Sequence, residues 1–504
     1  MAAAAQNGLG RAGPLVLARM ITAVISTAIP LVLARALDLA EYGSYKQIFL
    51  IAQTLYLVLP FGMVQGLYYF VPRTERRRPL YGTTFAFLAV GAVLSVALVA
   101  FGADAAAHAF SNPDLVRFKW YIAMYLVGML GSAPLEISLT AEGQTGRAAC
   151  VYLVSDTLRA AVMVVPVLLG FGLTGVMVAL AGFAGLRMAV SLVWLLRQSH
   201  GPLFERRVLN EQLRYAAPFG ASVLLARPTQ YLHQYAISAL VAPQLFALYA
   251  VGCFQLPVVD LLYTPTSEVL MVQLGELEKQ GRLERAAGVF RAAAGRLAYF
   301  FVPLSVLLFC VAPELIGALF GAKFLGATPI FRVSVLGILL SILPLDGALR
   351  SRNFTRHIFW AAVLKALVML PLVYFGVREL GLMGGILSWA AGESFGKLAL
   401  GFRLREALSP RDRRVAWREV IPWSELGISA VGAGGGAAAA LLAKAGLIAV
   451  GLGPVGGFWH RALPLALDSL AFGATYLCGL RILGVNPLSL LVKRRARAPV
   501  ASPA

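Results

Sequence analysis

The chain has 504 residues, 59% of them hydrophobic and only 13% charged, with a mean hydropathy of +0.76. A soluble domain is about one quarter charged, so a soluble enzyme or binding module is excluded and an all-α polytopic membrane protein is indicated. The net charge of +20 is spread over short loops rather than gathered in a soluble module, which excludes docking on nucleic acid.

Apolar runs of about 20 residues, the length a helix needs to cross hydrocarbon, predict about fourteen transmembrane helices. They fall at 14–36, 46–71, 81–102, 119–140, 148–170, 174–196, 216–240, 246–272, 296–318, 328–349, 357–376, 381–402, 425–450 and 462–483. Only Arg11 precedes the first segment and no small-residue cleavage site follows it, so that segment is expected to stay as an uncleaved anchor. It carries Arg19 in Leu17-Ala18-Arg19, and the seventh segment repeats the phrase as Leu225-Ala226-Arg227 about 208 residues later. An Arg at the centre of a membrane helix costs about 2.5–3.5 kcal/mol on insertion scales, which makes an intramembrane cation a hypothesis about a substrate or ion path. Pro30, Pro218, Pro228 and Pro257 remove backbone donors within segments and are expected to bend them.

Basic clusters follow the second segment (Arg73, Arg76, Arg77, Arg78), the sixth (Arg197, Arg206, Arg207, Arg214) and the twelfth (Arg411, Arg413, Arg414, Arg418), and another ends the chain (Lys493, Arg494, Arg495, Arg497). All lie on one side, so the positive-inside rule puts both termini in the cytoplasm. From Gly275 to Arg296, Leu283, Ala287, Phe290 and Ala294 recur at helical spacing beside arginines, which predicts an interfacial amphipathic helix. Cys150, Cys253, Cys310 and Cys478 have no short pairing interval and indicate neither a disulfide framework nor a zinc site.

Further echoes share an offset near 209 residues. Pro134-Leu135-Glu136 recurs as Pro344-Leu345-Asp346, Arg147 as Arg356, and Gly172-Leu173-Thr174-Gly175 as Gly381-Leu382-Met383-Gly384. They predict a duplicated six-segment unit, with an N-terminal lobe at 1–204, a C-terminal lobe at 205–408, and two extra helices plus a basic tail at 409–504. Six is even, so the lobes are pseudo-symmetric about an axis along the membrane normal. That arrangement encloses a central cavity and supports alternating access.

The remaining intramembrane charges divide into sets. Asp156 and Lys365 are repeat equivalents, expected either to bridge the lobes or to pair separately within each, Arg159 lying one turn after Asp156. Asp260 and Glu268, with Glu393 and Lys397, are candidates for a coupling or gating site, although Glu393 and Lys397 at i,i+4 also suit mutual neutralisation. Glu136 and Asp346 are expected at the cytoplasmic gate, paired with Arg147, Arg350 or Arg356.

The stretch from Leu31-Val32-Leu33-Ala34-Arg35 to Ala40-Glu41-Tyr42-Gly43-Ser44-Tyr45, and that from Ala312-Pro313-Glu314-Leu315-Ile316 to Phe320-Gly321, resemble polysaccharide-type flippases of the multidrug/oligosaccharidyl-lipid/polysaccharide exporter superfamily. With the length and the fourteen-segment plan, the resemblance covers nearly the whole chain. It implies a V-shaped cavity between two six-helix lobes, and movement of undecaprenyl-diphosphate-linked oligosaccharide to the outer leaflet of the bacterial cytoplasmic (inner) membrane. It further implies that the last two segments form a groove for the lipid tail. The chain departs from the pattern late in the seventh segment, where relatives often carry a carboxylate and this sequence has His233 and Gln234.

A lipid diphosphate needs fixed cations, and Arg supplies a planar, permanently charged fork. Arg19, Arg35, Arg227, Lys46 and His233 are therefore the expected substrate contacts, Arg35 and Lys46 being equally suited to snorkel to the outer interface. No metal and no cofactor are expected, and the drive is read as a proton or sodium gradient or the membrane potential. Expected partners are the lipid-linked oligosaccharide, membrane lipids, a polysaccharide polymerase and a chain-length regulator. Rival readings are a peptidoglycan lipid II flippase, a multidrug or cation exporter, and an integral-membrane glycan polymerase or ligase. The last lacks support, because the longest outer loop, 103–118, offers Asp104, His108 and Asp114 without catalytic spacing.

Overall fold

Hydrocarbon offers no partner for a backbone N–H or C=O, so a spanning chain must pair these groups within itself. A computed structural model describes residues 2–198, 201–410, 413–449 and 458–486, with side chains from Leu17 onward except at 448, 458, 459 and 461. Arg411 and the tail cations Lys493, Arg494, Arg495 and Arg497 lie outside them. Every regular element among the described residues is helical.

Ten helices are long and apolar enough to cross a membrane, or up to twelve if two bent pairs each count as one span. The expected fourteen is thus not reached by hydropathy alone, for two physical reasons. The helix Thr355–Leu408 has 54 residues and a non-helical residue, Gly381 (φ 56, ψ −133), inside it. Ser388 Oγ donates to Leu372 O at 2.8 Å across 16 residues, which would be about 24 Å apart in a straight helix. The element is therefore a hairpin of two antiparallel arms. The other reason is Arg206–Leu240, whose 35 residues give a helix of about 52 Å but carry too many polar groups to qualify as apolar.

The bent pairs are Leu39–Val58 with Met63–Arg73, at 40°, and Pro243–Gly252 with Pro257–Lys279, at 46°. Pro257 is accordingly not inside a helix but at the start of the second arm, where its missing N–H costs nothing. Pro218 and Pro228 do lie inside Arg206–Leu240. The tract from Gly275 to Arg296 also differs from expectation. Pro257–Lys279 ends at a left-handed Gly281 (φ 70), and Ala286–Cys310 continues directly into a spanning segment. Ala287, Phe290 and Ala294 are buried in a core cluster with Leu270, Leu345 and Leu404, so the apolar face packs on protein rather than on a lipid surface.

Backbone geometry repeats at the offset the sequence echoes suggest. Left-handed residues occur at Ser111 and Gly321, at Gly143 and Asn353, and at Gly172 and Gly381, the last two sharing φ 56. Each pair is separated by about 209–210 residues and marks the same loop or helix start. At Gly381 the φ/ψ combination is essentially restricted to glycine, and a Cβ there costs about 1–3 kcal/mol. Gly381→Ala is expected to lose about that much stability in reversible unfolding of the purified protein, although open space surrounds the position.

By packing, the described chain forms two compact units, 1–251 with 366–389, and 252–365 with 390–504. This division cuts the chain differently from the duplication, which concerns sequence and backbone echoes rather than contacts. In the first unit the motif around Glu41 is fold-bearing. Glu41 Oε1 accepts from Leu173 N at 3.3 Å, capping the helix that opens at Gly172. Tyr42 is fully buried, Ser44 Oγ donates to Asn112 Oδ1 at 3.2 Å, and Asn112 Nδ2 donates to Gln47 Oε1 at 2.6 Å. The second unit is centred on Phe301, Leu297, Ala433 and Phe472.

Candidate functional site: a charged cluster within apolar helices

Membrane helices tolerate charge where partners compensate it, and the first unit builds such a place from four helices, the fourth being Ala2–Ala36 with Arg19 and Ser26. Glu136, on Lys119–Ala141, accepts from Arg187 Nη2 at 2.7 Å, both side chains being 13% exposed. Arg187 stands on Gly172–Leu196, and its Nη1 donates to Ser155 Oγ at 2.8 Å. On Thr145–Leu168, Arg159 pairs with Asp156 at 2.9 Å and donates to Ser26 Oγ at 2.8 Å. Asp156, Arg159 and Arg19 all lie within electrostatic range of the Glu136 carboxylate. Arg19 rests 5.4 Å from the centre of the Tyr152 ring, with Tyr68 beside it. Three guanidinium groups thus face two carboxylates, leaving an excess of positive charge.

The second unit holds the counterpart at the repeat offset with different cations. Asp346 accepts from Tyr263 and from Ser267 Oγ at 3.3 Å, and pairs with Arg350 at 3.4 Å. Lys365 pairs with Glu393, and Lys397 lies 5.4 Å from the Tyr263 ring centre, in electrostatic range of Asp346, Glu393 and Lys365. Two lysines and Arg350 stand there against two carboxylates, Asp346 and Glu393.

The structure thus sorts the expected residues. Asp156 and Lys365 form separate pairs, each within its own unit, rather than with one another. Lys365, not Lys397, is the ion-pair partner of Glu393. Glu136 pairs with Arg187 instead of Arg147, which donates to Gln144 Oε1 at 2.9 Å, whereas Asp346 does take Arg350. Asp260 and Glu268 are exposed on Pro257–Lys279 and join no ion pair among the described residues. Arg227 donates to Gln230 Oε1 at 3.1 Å. Lys46 lies over the Tyr42 and Tyr45 rings, at 5.5 and 5.6 Å, and Arg35 occupies the last turn of its helix, exposed. His233 is 3% exposed, with Nδ1 hydrogen-bonded to the Tyr249 hydroxyl at 2.6 Å and its ring 6.0 Å from Trp389. It is a packed histidine in this conformation. Arg187 was absent from the sequence-derived set, yet its signal was available: Lys397 follows it by about 210 residues, as Asp346 follows Glu136.

A profile of the family described as polysaccharide biosynthesis protein matches residues 32–329. No curated protein sequence matches the chain. Among solved structures, the lipid II flippase MurJ in an inward closed conformation is similar at a TM-score of 0.71 and 12% identity, over 93% of this chain and 99% of that one. An inward-facing multidrug resistance MATE transporter of the MOP superfamily follows at 0.59 and 14%, over 78% and 96%. Such identities establish the fold alone. With the family profile spanning more than half of the sequence, the chain belongs to the polysaccharide biosynthesis protein family, as a multi-pass membrane protein on the fold shared by MurJ and MATE transporters.

Proposed function

We propose that the protein flips undecaprenyl-diphosphate-linked oligosaccharide repeat units from the inner to the outer leaflet of a bacterial cytoplasmic membrane, by alternating access, for polysaccharide assembly. The observation that carries this reading is the cationic excess of Arg19, Arg159 and Arg187 over Glu136 and Asp156, set in apolar helices and ringed by tyrosines. An anion entering such a cluster replaces the missing counter-charge, and a diphosphate suits the paired donors of guanidinium. Arg227 on the polar helix Arg206–Leu240 is assigned to the path of the head group. A proton or sodium gradient, or the membrane potential, is the proposed drive.

In cells lacking the protein, the lipid-linked oligosaccharide should accumulate on the cytoplasmic leaflet. Arg19→Ala should restore transport at least about ten-fold less well than wild type, since a hydrogen bond to a charged group contributes about 1.5–3 kcal/mol. Arg19→Lys should recover part of the loss, because a point charge without the fork remains. Full rescue by Arg19→Ala would remove the guanidinium from substrate handling, and an absence of accumulation in the deletion strain would refute the substrate. The likeness to a lipid II flippase over nearly its whole length favours a second reading, peptidoglycan lipid II, which carries the same lipid diphosphate. Cell lysis on depletion, without loss of surface polysaccharide, would favour that one.

A further inference from the structure

The motif Ala312-Pro313-Glu314-Leu315-Ile316 contains a carboxylate that the clusters above do not use. Glu314, on Ala312–Leu319, is 1% exposed, and its Oε1 accepts from Lys444 Nζ at 2.7 Å. Asp468, on Phe458–Ile482, is also 1% exposed and lies within electrostatic range of both Glu314 and Lys444. Glu314 Oε2 and Asp468 Oδ1 are each buried without a hydrogen-bond partner. All three residues belong to the second unit.

The charge count is unbalanced, with two buried carboxylates against one ammonium. Among the described residues no hydrogen-bond donor reaches either orphaned oxygen. Arg332, on Thr328–Leu336, donates from Nε to Phe309 O at 3.2 Å and stacks on the Phe309 ring at 5.2 Å. Lys323 stacks on Phe324 at 5.6 Å, Cys310 ends the adjoining helix as a free thiol, and Glu425 on the Lys444 helix pairs with Arg291. A net negative charge taken out of water is relieved most directly by binding a proton. A proton also supplies the one thing two orphaned acceptors lack, a donor. A metal ion fits less well, since the ammonium already occupies one Glu314 oxygen. Among the described residues no group of three or more His, Cys, Asp or Glu could hold a metal.

We propose that Glu314 and Asp468 together bind one exchangeable proton beside Lys444, and that this triad is a proton site of the transporter. Its use in coupling rests on the transport reading, whereas its occupancy does not. The test is pH-jump infrared spectroscopy of the full-length protein in lipid bilayers. Wild type should show a protonated-carboxyl stretch that titrates and that is lost in both Asp468→Asn and Glu314→Gln, with folding of each variant checked by thermal melting. Lys444→Met, which removes the counter-charge while leaving both carboxylates, should raise the titration midpoint by a pH unit or more, about ten-fold in proton affinity. A stretch unaffected by either carboxamide variant, or one absent from wild type while sodium raises its melting temperature, would overturn the proposal in favour of a static ion pair or a sodium site. Because the signal is read on the isolated protein, a wrong substrate leaves it in place and a wrong proton site removes it whatever is transported.

Discussion

Arg187→Met is expected to destabilise the folded protein by about 3–5 kcal/mol, because it leaves Glu136 buried without its partner. The pair is the least exposed ion pair of the first unit's cluster and joins Lys119–Ala141 to Gly172–Leu196. Glu136→Gln should cost less than Arg187→Met. The guanidinium it strands keeps Ser155 as acceptor, and Asp156 stays nearby through Arg159. The double variant Glu136→Gln/Arg187→Met should recover most of the loss, since replacing both partners removes the uncompensated charge along with the attraction. Reversible unfolding of the purified single and double variants in lipid gives the coupling. If the double variant loses the sum of the two single losses, the charges act independently and the cluster is not one unit. On the proposed function, transport separates a further role: a double variant that is stable but fails to clear the proposed lipid-linked substrate would assign the pair to the substrate path as well as to the fold.

Fold class was legible because hydrocarbon imposes one backbone solution on any long apolar run. The echo at an offset of about 209 residues was legible where the backbone needs glycine or an equivalent left-handed residue, since such positions keep their sequence mark: Gly172 and Gly381 share both a phrase and φ 56. The break between Gly252 and Pro257 was not legible as such, because Pro257 reads equally as an interior kink and as the first residue of a new helix. The apolar face of Leu283, Ala287, Phe290 and Ala294 was visible, but periodicity does not say whether lipid or protein covers it. Tertiary packing covers it here.

The site was legible in its charges and not in its pairings. Sequence spacing favours i,i+3 and i,i+4 partners, which recovers Asp156 with Arg159 and Asp346 with Arg350. Glu136 with Arg187 and Glu314 with Lys444 join different helices, and Lys365 with Glu393 joins the two arms of the hairpin Thr355–Leu408, a choice fixed by how the helices pack. Lys444 lies inside an apolar segment, and its pairing with Glu314 is how the charge is accommodated.

Gly43→Leu and Gly384→Ala should be the most damaging small-residue changes. A Cβ on Gly43 would overlap the carbonyl of Pro243, and one on Gly384 the carbonyl of Gly376. Both obstacles are main chain, so no side-chain rotation relieves them and a helix must shift. Overpacking of a well-filled site costs about 1–3 kcal/mol, occasionally more, and these two changes should reach or exceed the top of that range. Gly182→Ala is the internal control. Gly182 lies in the helix Gly172–Leu196 with nothing within 4 Å of its would-be Cβ, so the change should be neutral or stabilising by up to about 1 kcal/mol through helix propensity. Yield of folded protein and reversible unfolding of all three variants measure the contrast. Lipid gives no hydrophobic drive for helices to associate, so close backbone approach over small residues has to supply the packing. If Gly384→Ala proves as mild as Gly182→Ala, the hairpin around Gly381 is held by its polar contacts, such as Ser388 to Leu372, rather than by the glycine contact at its bend.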